Sequence, residues 1–190
     1  ATGDGQLAMT TGMEKEQHVT RTRTPRGPIV SSEHLSRSSQ ELSEFEFGLI
    51  IAGHAFDRWM VRCMTAAGFA ELGALDVLVL HSVNHRERAK RQADICLVLN
   101  VEDTHTVTYA LKKLAKLELV HGEKHGKETF FRTTPTGRAT CQRYAEIREA
   151  CLVDSLASMG IEREEMHRLA GLLRAMSGLY DQAARSAASL

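Results

Sequence analysis

The sequence predicts a mainly α-helical protein that contains one small β-hairpin. Residues 38–67 and 162–180 carry large apolar side chains at the three- and four-residue spacing of amphipathic helices. Residues 119–134 change to two short strand-like runs around a glycine-containing turn. Thr134 followed by Pro135 is a strong signal for the start of a further helix. We therefore expect helices on both sides of a single hairpin.

The bulk composition is that of a globular protein. The chain has 190 residues, of which 43% are hydrophobic and 25% charged, and this suits one domain with appendages. No apolar run approaches the roughly 18 residues that a membrane helix needs. The N-terminus does not show the basic and apolar segments of a secretory signal. We therefore expect a cytoplasmic protein.

The sequence predicts neither a metal centre nor an enzyme site. The four cysteines are isolated and form no CxxC pair, so we expect buried free thiols, with a redox-sensing role for one of them as the alternative. His81 and His85 share a helix face but have no acidic or cysteine partner nearby in sequence. Phosphate-binding loops and serine-nucleophile patterns do not occur. We therefore predict no cofactor and no catalysis.

Charge is distributed unevenly, although the chain is neutral overall. Residues 85–143 hold twelve lysines and arginines against seven acidic residues, a net charge of +5, whereas residues 1–72 and 144–190 each carry −2. A basic middle segment indicates an anionic partner such as nucleic acid. A solvated charged surface is the simpler alternative.

Six helices are predicted around the hairpin, after an N-terminal arm. Residues 1–37 are rich in Thr, Gly and Ser and have no sustained period, so we expect a flexible arm. The first helix ends at Gly68 and has a broad apolar stripe that needs a partner surface. Residues 73–87 favour a short helix over a strand, and the helix after Thr134 is expected to reach Gly160. The stripe comprises Leu42, Phe45, Leu49, Ala52, Phe56, Trp59, Met60 and Cys63.

The helix predicted within residues 100–120 has an unusual exposed face. Val107, Leu111 and Leu114 form its buried side, and Asp103 or Glu102 is placed to cap its start. The exposed side begins with Thr, His and Tyr, which are weaker helix formers but can hydrogen-bond base edges or phosphates. Lysines follow where such a helix would cross a nucleic-acid backbone, and the hairpin turn is also basic. The candidate DNA-binding residues are Thr104, His105, Thr106, Thr108, Tyr109, Lys112 and Lys113 on the helix, and Lys124, His125 and Lys127 on the turn.

The order of the middle helices and the hairpin is that of a winged helix-turn-helix. Three segments of residues 73–140 are informative: ADICLVLNVED before the turn, THTVTYALKKLAKLELV in the second helix of the motif and FFRTTPTGRA after the hairpin. Through these segments, residues 73–140 resemble the winged-helix core of MarR-family transcriptional regulators. The family's Thr-x-x-Gly-Arg appears here as Thr134 to Arg138, and Glu118 replaces its usual glycine after the recognition helix. The sequence also looks similar to the LdtR-like subgroup.

The sequence departs from the MarR-family pattern in two places. Many members carry an Asp-x-Arg-Arg motif in the wing, which inserts arginine into the minor groove. The corresponding GEKHGKETFFR is shorter and lacks that motif, so only a weaker basic tip is carried over. The long polar arm of residues 1–37 is the second departure.

The resemblance implies a homodimeric, sequence-specific DNA-binding regulator. Residues 38–72 would form a dimerisation helix, residues 73–140 the DNA-binding domain and residues 141–190 the C-terminal dimerisation helices. The two recognition helices would enter successive major grooves of a pseudo-palindromic double-stranded operator. The resemblance also implies a pocket for a small aromatic or phenolic effector, with core packing as the alternative role of its candidate lining: Phe56, Trp59, Met60, Cys63, Leu80 and Tyr144. The alternative function is a winged-helix module that binds protein, since the net charge is zero and the wing arginines are missing.

Overall fold

A computed structural model describes residues 39–190, apart from the side chain of residue 157. The elements in chain order are α1 (Gln40–Ala66), α2 (Ala74–Asn84), a 3₁₀ turn (His85–Glu87), β1 (Lys90–Arg91), α3 (Gln92–Leu99), α4 (Thr104–Lys116), β2 (Val120–His125), β3 (Glu128–Thr133), α5 (Pro135–Arg148), a π-helical turn (Glu149–Val153), α6 (Asp154–Ser158) and α7 (Arg163–Ala187). The predicted arm, residues 1–37, lies outside the described residues. By its contacts the chain divides into two units, residues 1–49 and 50–190. The core and the site described below lie in the second unit, and the predicted mainly helical fold with a hairpin wing is confirmed.

The C-terminal end of α1 packs into the core, whereas its middle does not. Met60, Cys63 and Met64 are at most 2% exposed, but Phe56 remains 53% exposed. The Cys63 thiol lies 3.5 Å from the backbone carbonyl of Tyr144 on α5, to which it donates. The predicted apolar stripe is therefore buried only where α1 meets the winged-helix core.

The short segment after α1 is a helix, as predicted. Its apolar run is buried on several sides, with Val77, Val79, Leu80 and Val83 at most 1% exposed, so the run does not show a one-sided helical period. Asp76 caps the start of α2, because its Oδ2 accepts from the backbone N–H of Gly73 at 2.8 Å.

The sheet has three strands, one more than the predicted hairpin. The strand order is β1-β3-β2, and β1 pairs with β3 through Lys90 opposite Phe131 and Arg91 opposite Phe130. The Arg91 guanidinium donates to Asp94 Oδ1 at 2.8 Å and to Glu128 Oε1 at 3.1 Å. The extra strand has only two residues, which are too few to show an alternating pattern in the sequence.

The helix after the hairpin begins as predicted but is interrupted before it reaches Gly160. Thr134 is the N-cap and Pro135 the first helical residue. The expected continuous helix is corrected to α5, a π-helical turn and α6, because one-sided apolar spacing does not distinguish an α-helix with an inserted π turn from a regular one. Gly160 follows with φ +67°. No helix within residues 39–190 has the length and apolar character required to cross a membrane.

Candidate nucleic-acid interface

Asp103 fixes the start of α4. Its Oδ1 accepts from the backbone N–H of His105 at 2.9 Å, and its backbone carbonyl accepts from Thr106 Oγ1 at 2.7 Å. An N-cap of this kind satisfies backbone donors that have no partner inside the helix. Of the two predicted caps, the structure has Asp103 rather than Glu102. The first turn of α4 is therefore held in one defined position.

Gln92 holds the start of α4 from the neighbouring helix. Its Nε2 donates to the Thr104 carbonyl and to Thr108 Oγ1, both at 2.8 Å. Thr108 Oγ1 itself donates to the Thr104 carbonyl at 2.9 Å. The Thr108 hydroxyl proton is therefore engaged inside the protein, which leaves an acceptor lone pair for an outside partner. Gln92 was not among the predicted site residues, because its only signal in the sequence is its position at the start of α3.

Tyr109 is largely exposed on the predicted reading face. Its side chain is 72% exposed, and the Lys112 ammonium lies 5.9 Å from the centre of its ring, within reach of a cation–π interaction. Thr104 and His105 are exposed as well, whereas Thr106 is half-buried. The N-terminal half of α4 thus presents an aromatic ring and an imidazole to solvent, and the cation of Lys112 lies beside that ring.

The two neighbouring lysines of α4 differ in their surroundings. Lys113 Nζ lies 2.7 Å from Asp76 Oδ2, and the Asp76 side chain is only 13% exposed. Lys112 is exposed and within 4 Å of no carboxylate in the described part of the chain. Lys113 therefore fastens α4 to α2, while Lys112 has the free charge that a phosphate contact requires.

The end of α4 is a Schellman cap. The N–H of Glu118 donates to the carbonyl of Ala115 at 3.1 Å, and the N–H of Leu119 donates to that of Leu114 at 2.9 Å. Glu118 has φ +57°, in the left-handed region that favours glycine. This is the position where the resembling family usually has glycine, so the backbone explains that preference.

The start of α5 is fastened directly onto this cap. Thr134 Oγ1 donates to the Glu118 carbonyl at 2.6 Å, and the N–H of Thr134 donates to the Leu119 carbonyl at 3.1 Å. A Cβ added to Gly137 would lie 2.0 Å from the Leu119 carbonyl oxygen, so no side chain fits there. The Thr-x-x-Gly-Arg pattern thus joins α4 to α5 by a close backbone approach.

The hairpin tip is exposed and basic. Lys124, His125 and Lys127 are all exposed, and Gly126 between them has φ +63°, which a tight turn requires. His125 Nε2 lies 3.6 Å from Glu123 Oε2, and its ring packs edge-on against Phe130. The two lysines of the tip have no carboxylate within 4 Å among the described residues.

The candidate effector-pocket residues lie mostly in the core. Met60, Cys63, Leu80 and Tyr144 are at most 7% exposed and belong to one buried cluster. Trp59 packs against that cluster, and Phe56 is exposed. Burial raises the pKa of the Cys63 thiol and of the Tyr144 hydroxyl, since both would have to ionise in an apolar environment.

A cleft of about 570 Å³ lies beside this cluster, between α2 and α5. His81 lines it, and its Nε2 is buried without a hydrogen-bond partner. The His81 ring packs edge-on against Tyr144 with ring centres 4.6 Å apart, and burial lowers the pKa of His81. Arg138, Cys141 and Gln142 of α5 also line the cleft. It therefore combines one cation, one anion at Glu87 and the unpaired His81 Nε2 with the small side chains of Ala139 and Ala145.

The cysteines are all free thiols, but they are not all buried. Cys63, Cys96 and Cys141 are buried, whereas Cys151, in the π-helical turn, is exposed. Burial raises the pKa of Cys141 to about 11. The expectation of four buried thiols is therefore corrected at Cys151. In residues 39–190, no group of three or more His, Cys, Asp or Glu side chains could hold a metal ion.

Comparison with known proteins shows what fold this geometry belongs to. A family model described as a winged helix DNA-binding domain matches residues 72–137. A solved MarR family transcription regulator aligns with a TM-score of 0.61 and 13% sequence identity, over 82% of this chain and 99% of that chain. The chain has the winged-helix fold of MarR-family regulators.

Two further structures share the MarR-type fold. NMB1585, a MarR family regulator from Neisseria meningitidis, aligns with a TM-score of 0.59 and 18% identity over 75% of this chain and 95% of that chain. The transcriptional regulator MosR of M. tuberculosis was solved in complex with DNA. It aligns with a TM-score of 0.55 and 17% identity over 70% of this chain and 96% of that chain. No curated protein matches the sequence. The predicted resemblance to the MarR family is thus confirmed at the level of the fold.

Proposed function

We propose that this protein is a homodimeric, sequence-specific DNA-binding transcriptional regulator whose base-reading element is the N-terminal half of α4. The observation that supports this most strongly is the contrast within that helix. Its backbone start is fixed by Asp103 and Gln92, while Tyr109 and His105 remain exposed. Rigid positioning of free polar side chains is what direct readout in a major groove needs.

The remaining candidates divide by what their side chains can do. Lys112 and the lysines of the hairpin tip, Lys124 and Lys127, have free charges and would contact phosphates. His125 would act beside them at the tip. The Thr106 and Thr108 hydroxyls donate to carbonyls at the helix start, so we assign these two residues to positioning and to apolar or acceptor contacts. Thr104 accepts through its backbone carbonyl, and its exposed side chain would contact DNA directly. Lys113, paired with Asp76, would contribute mainly by orienting α4.

A second copy of the chain is the proposed dimer partner. The apolar side of α7 and the middle of α1 are exposed. The side chain of Leu172 on α7 is 49% exposed, and that of Ile51 on α1 is 51% exposed. Exposed apolar helix faces of this length favour association. In such a dimer, residues 38–72 and 141–190 would be the dimerisation helices and residues 73–140 the DNA-binding domain. We also retain the LdtR-like subgroup as a prediction.

A small aromatic or phenolic effector is the proposed regulator of this dimer. The cleft between α2 and α5 supports the proposal, because Arg138 and the unpaired His81 Nε2 suit a carboxylate or phenolate beside the small side chains of Ala139 and Ala145. None of the six predicted pocket residues lines this cleft, although the Tyr144 ring packs against that of His81. Ligand binding there would change the population of DNA-competent dimers only if it favoured one arrangement of the two cores.

Selection from random-sequence duplexes, followed by binding measurements, tests the DNA proposal. We expect the full chain to enrich a pseudo-palindromic sequence and to bind it less tightly as salt increases. Tyr109→Ala should lose roughly 10- to 100-fold in affinity for that sequence, whereas Tyr109→Phe isolates the hydroxyl group and keeps the ring. Failure of the wild-type chain to enrich any sequence would contradict the proposal and favour a protein-binding winged helix.

A further inference from the structure

Three arginines line one cleft beside the wing, outside the recognition helix. Arg88 precedes β1, Arg132 lies on β3 and Arg138 lies in the first turn of α5. Together with Glu87 and Thr133 they line a cleft of about 290 Å³. We call the site formed by Arg88, Arg132 and Arg138 the arginine cleft. None of the three was a candidate binding residue in the sequence.

The charges of the arginine cleft are not neutralised by ion pairs. Among the described residues, no carboxylate oxygen lies within 4 Å of these three guanidinium groups. By contrast, Arg91 and Arg143 each have a carboxylate partner at 3.1 Å or less. Glu87 also lines the cleft, so three cations and one anion leave a net charge of +2. A surplus of positive charge at a concave surface attracts anions.

Two of the arginines are held in place by backbone carbonyls. Arg132 Nη1 donates to the Glu87 carbonyl at 3.3 Å, and Arg138 Nη1 donates to the Thr133 carbonyl at 3.0 Å. Each guanidinium has five N–H donors and uses one of them in its contact with a carbonyl. The backbone of Arg86 and Glu87 is left-handed, with φ +60° and +51°, a conformation that costs energy in residues other than glycine. The loop thus keeps an unfavourable backbone conformation in which the Glu87 carbonyl orients Arg132.

The arginine cleft continues towards the tip of the wing. Arg88 and Arg132 also line a neighbouring cleft of about 500 Å³ together with His125 and Glu123 of β2. Further cationic groups lie close together along the loop before β1. The pKa of Lys90 is lowered there, first by burial and then by the charges of Arg88 and Arg86. Arg88 and Arg132 therefore line both clefts, but Glu87 and Glu123 balance their charges in the neighbouring one, so the positive surplus lies in the arginine cleft.

We infer that the arginine cleft is a phosphate-binding site. Guanidinium groups with free donors bind phosphate oxygens in pairs, through two parallel hydrogen bonds. The expected phosphate is a backbone phosphate of DNA next to the groove that the wing approaches, and this part of the inference rests on the proposed function. A small phosphorylated molecule offers the same chemistry to the same donors. Either occupant makes these arginines part of a binding surface that neither the recognition helix nor the wing tip includes.

The test compares Arg88→Gln/Arg132→Gln with Arg143→Gln/Arg148→Gln in the full-length chain. Both double variants remove two exposed positive charges, but the control pair lies on α5 away from the cleft. The affinity for the selected duplex is measured across a salt series, and thermal melting verifies that both variants remain folded. We expect the slope of log affinity against log salt to fall by about one for each phosphate that the variant no longer binds, with unchanged sequence preference. The control should change the slope by less than half as much.

Calorimetric titration of the DNA-free chain with inorganic pyrophosphate distinguishes the two phosphate sources. Pyrophosphate binding that the cleft variant loses, combined with an unchanged salt slope, would assign the site to a small phosphorylated molecule. A reduced slope without pyrophosphate binding would assign it to DNA. If the cleft variant matches the control in both measurements, the inference is overturned. If the wild-type chain binds no duplex, the proposed function fails, and the pyrophosphate titration alone decides whether the cleft binds phosphate.

Discussion

The winged-helix core and α7 differ in how far each covers its own apolar surface. In the core, side chains such as Leu80, Val107 and Leu114 are fully buried. The 25-residue helix α7 has no buried residue at all. Its exposed leucines are Leu169, Leu172, Leu173 and Leu179, each between 46% and 57% exposed. The core is therefore complete within one chain, whereas α7 has an apolar face that needs a partner.

The interactions that hold each region together differ in the same way. The core joins α4 to α5 through backbone hydrogen bonds at Leu119 and a close approach at Gly137. On α7, Asp181 accepts from Asn100 Nδ2 at 3.3 Å, in an exposed polar contact. An exposed hydrogen bond between side chains adds little stability, because water competes for both groups. A substitution that damages packing in the core should therefore destabilise the fold. A substitution on the exposed face of α7 should leave the chain folded.

The largest expected effect is that of Gly137→Ala in the core. The added Cβ would lie 2.0 Å from the Leu119 carbonyl oxygen, so the start of α5 or the end of α4 must move. We expect a loss of about 3 kcal/mol in the free energy of unfolding, the upper end for an overpacked site. Urea denaturation at fixed protein concentration measures it.

Gly178→Ala on α7 is the matched control for this substitution. A Cβ at Gly178 meets nothing within 4 Å, and alanine favours a helix interior over glycine by roughly 0.5–1 kcal/mol. The same chemical change should therefore destabilise the core and leave α7 unharmed or slightly more stable. Equal effects at the two glycines would remove the difference that we draw between the regions.

The next largest effect is expected from Leu173→Glu, on dimerisation rather than on folding. If α7 buries this leucine against a second chain, its loss weakens the dimer by about 2 kcal/mol at each copy, roughly thirtyfold in the dissociation constant for each. The fold of the core should persist by circular dichroism, because Leu173 is 46% exposed within one chain. Sedimentation velocity over a concentration series measures the dissociation constant.

The control for Leu173→Glu is His167→Glu, about 120° away around the same helix. Both residues are exposed, but His167 lies outside the leucine face. It should leave the dissociation constant within a few-fold of the wild-type value. A wild-type chain that sediments as a monomer at every concentration would refute the proposed role of α7 directly.

A smaller, stabilising effect is expected from Glu118→Gly. Glu118 has φ +57°, a backbone conformation that glycine adopts without a steric penalty, so the free energy of unfolding should increase by roughly 0.5–1 kcal/mol. Glu118→Ala removes the same charge but keeps the strain, and it should give no such gain. Equal gains for glycine and alanine would attribute the effect to charge instead of backbone conformation.

The sequence predicted the elements of the core well because its signals there are local. The Thr134 cap and Pro135 fix the start of α5, and helical spacing identified α4. The Thr-x-x-Gly-Arg pattern marked Gly137, although the need for glycine became clear only from the approach of the Leu119 carbonyl. The Thr134–Pro135 helix start and the apolar spacing of α4 each depend on residues within a few positions of each other.

The sequence predicted less where distant residues decide the outcome. The bond from Gln92 to Thr108 joins residues sixteen positions apart, and the arginine cleft brings together Arg88 and Arg138 from separate elements. Helical spacing in α1 indicated a buried stripe but not that Phe56 would remain exposed. Periodicity shows which face of a helix is apolar, and it contains no information about what covers that face.

The smallest effect separates a half-buried histidine on α2, whose Nε2 is buried, from an exposed histidine on α7. Burial lowers the pKa of His81 in the folded chain, so the unfolded chain binds the proton more readily once the pH falls below about 6.5. The unfolded state then binds more protons than the folded state, so the free energy of unfolding decreases as the pH falls. This loss begins near the unfolded pKa and stops increasing below the lower folded pKa.

His81→Phe removes the proton-binding group and keeps an aromatic ring against Tyr144, whose ring centre lies 4.6 Å from that of His81. We expect this variant to lose less stability than the wild-type chain when urea denaturation is repeated from about pH 7.5 down to about pH 5.5. His167→Phe, on the exposed surface of α7, should leave the pH dependence as it is in the wild-type chain. Identical pH profiles for all three proteins would mean that His81 takes up a proton as easily in the folded core as in water, and that the α2–α5 junction is more open to solvent than its burial implies.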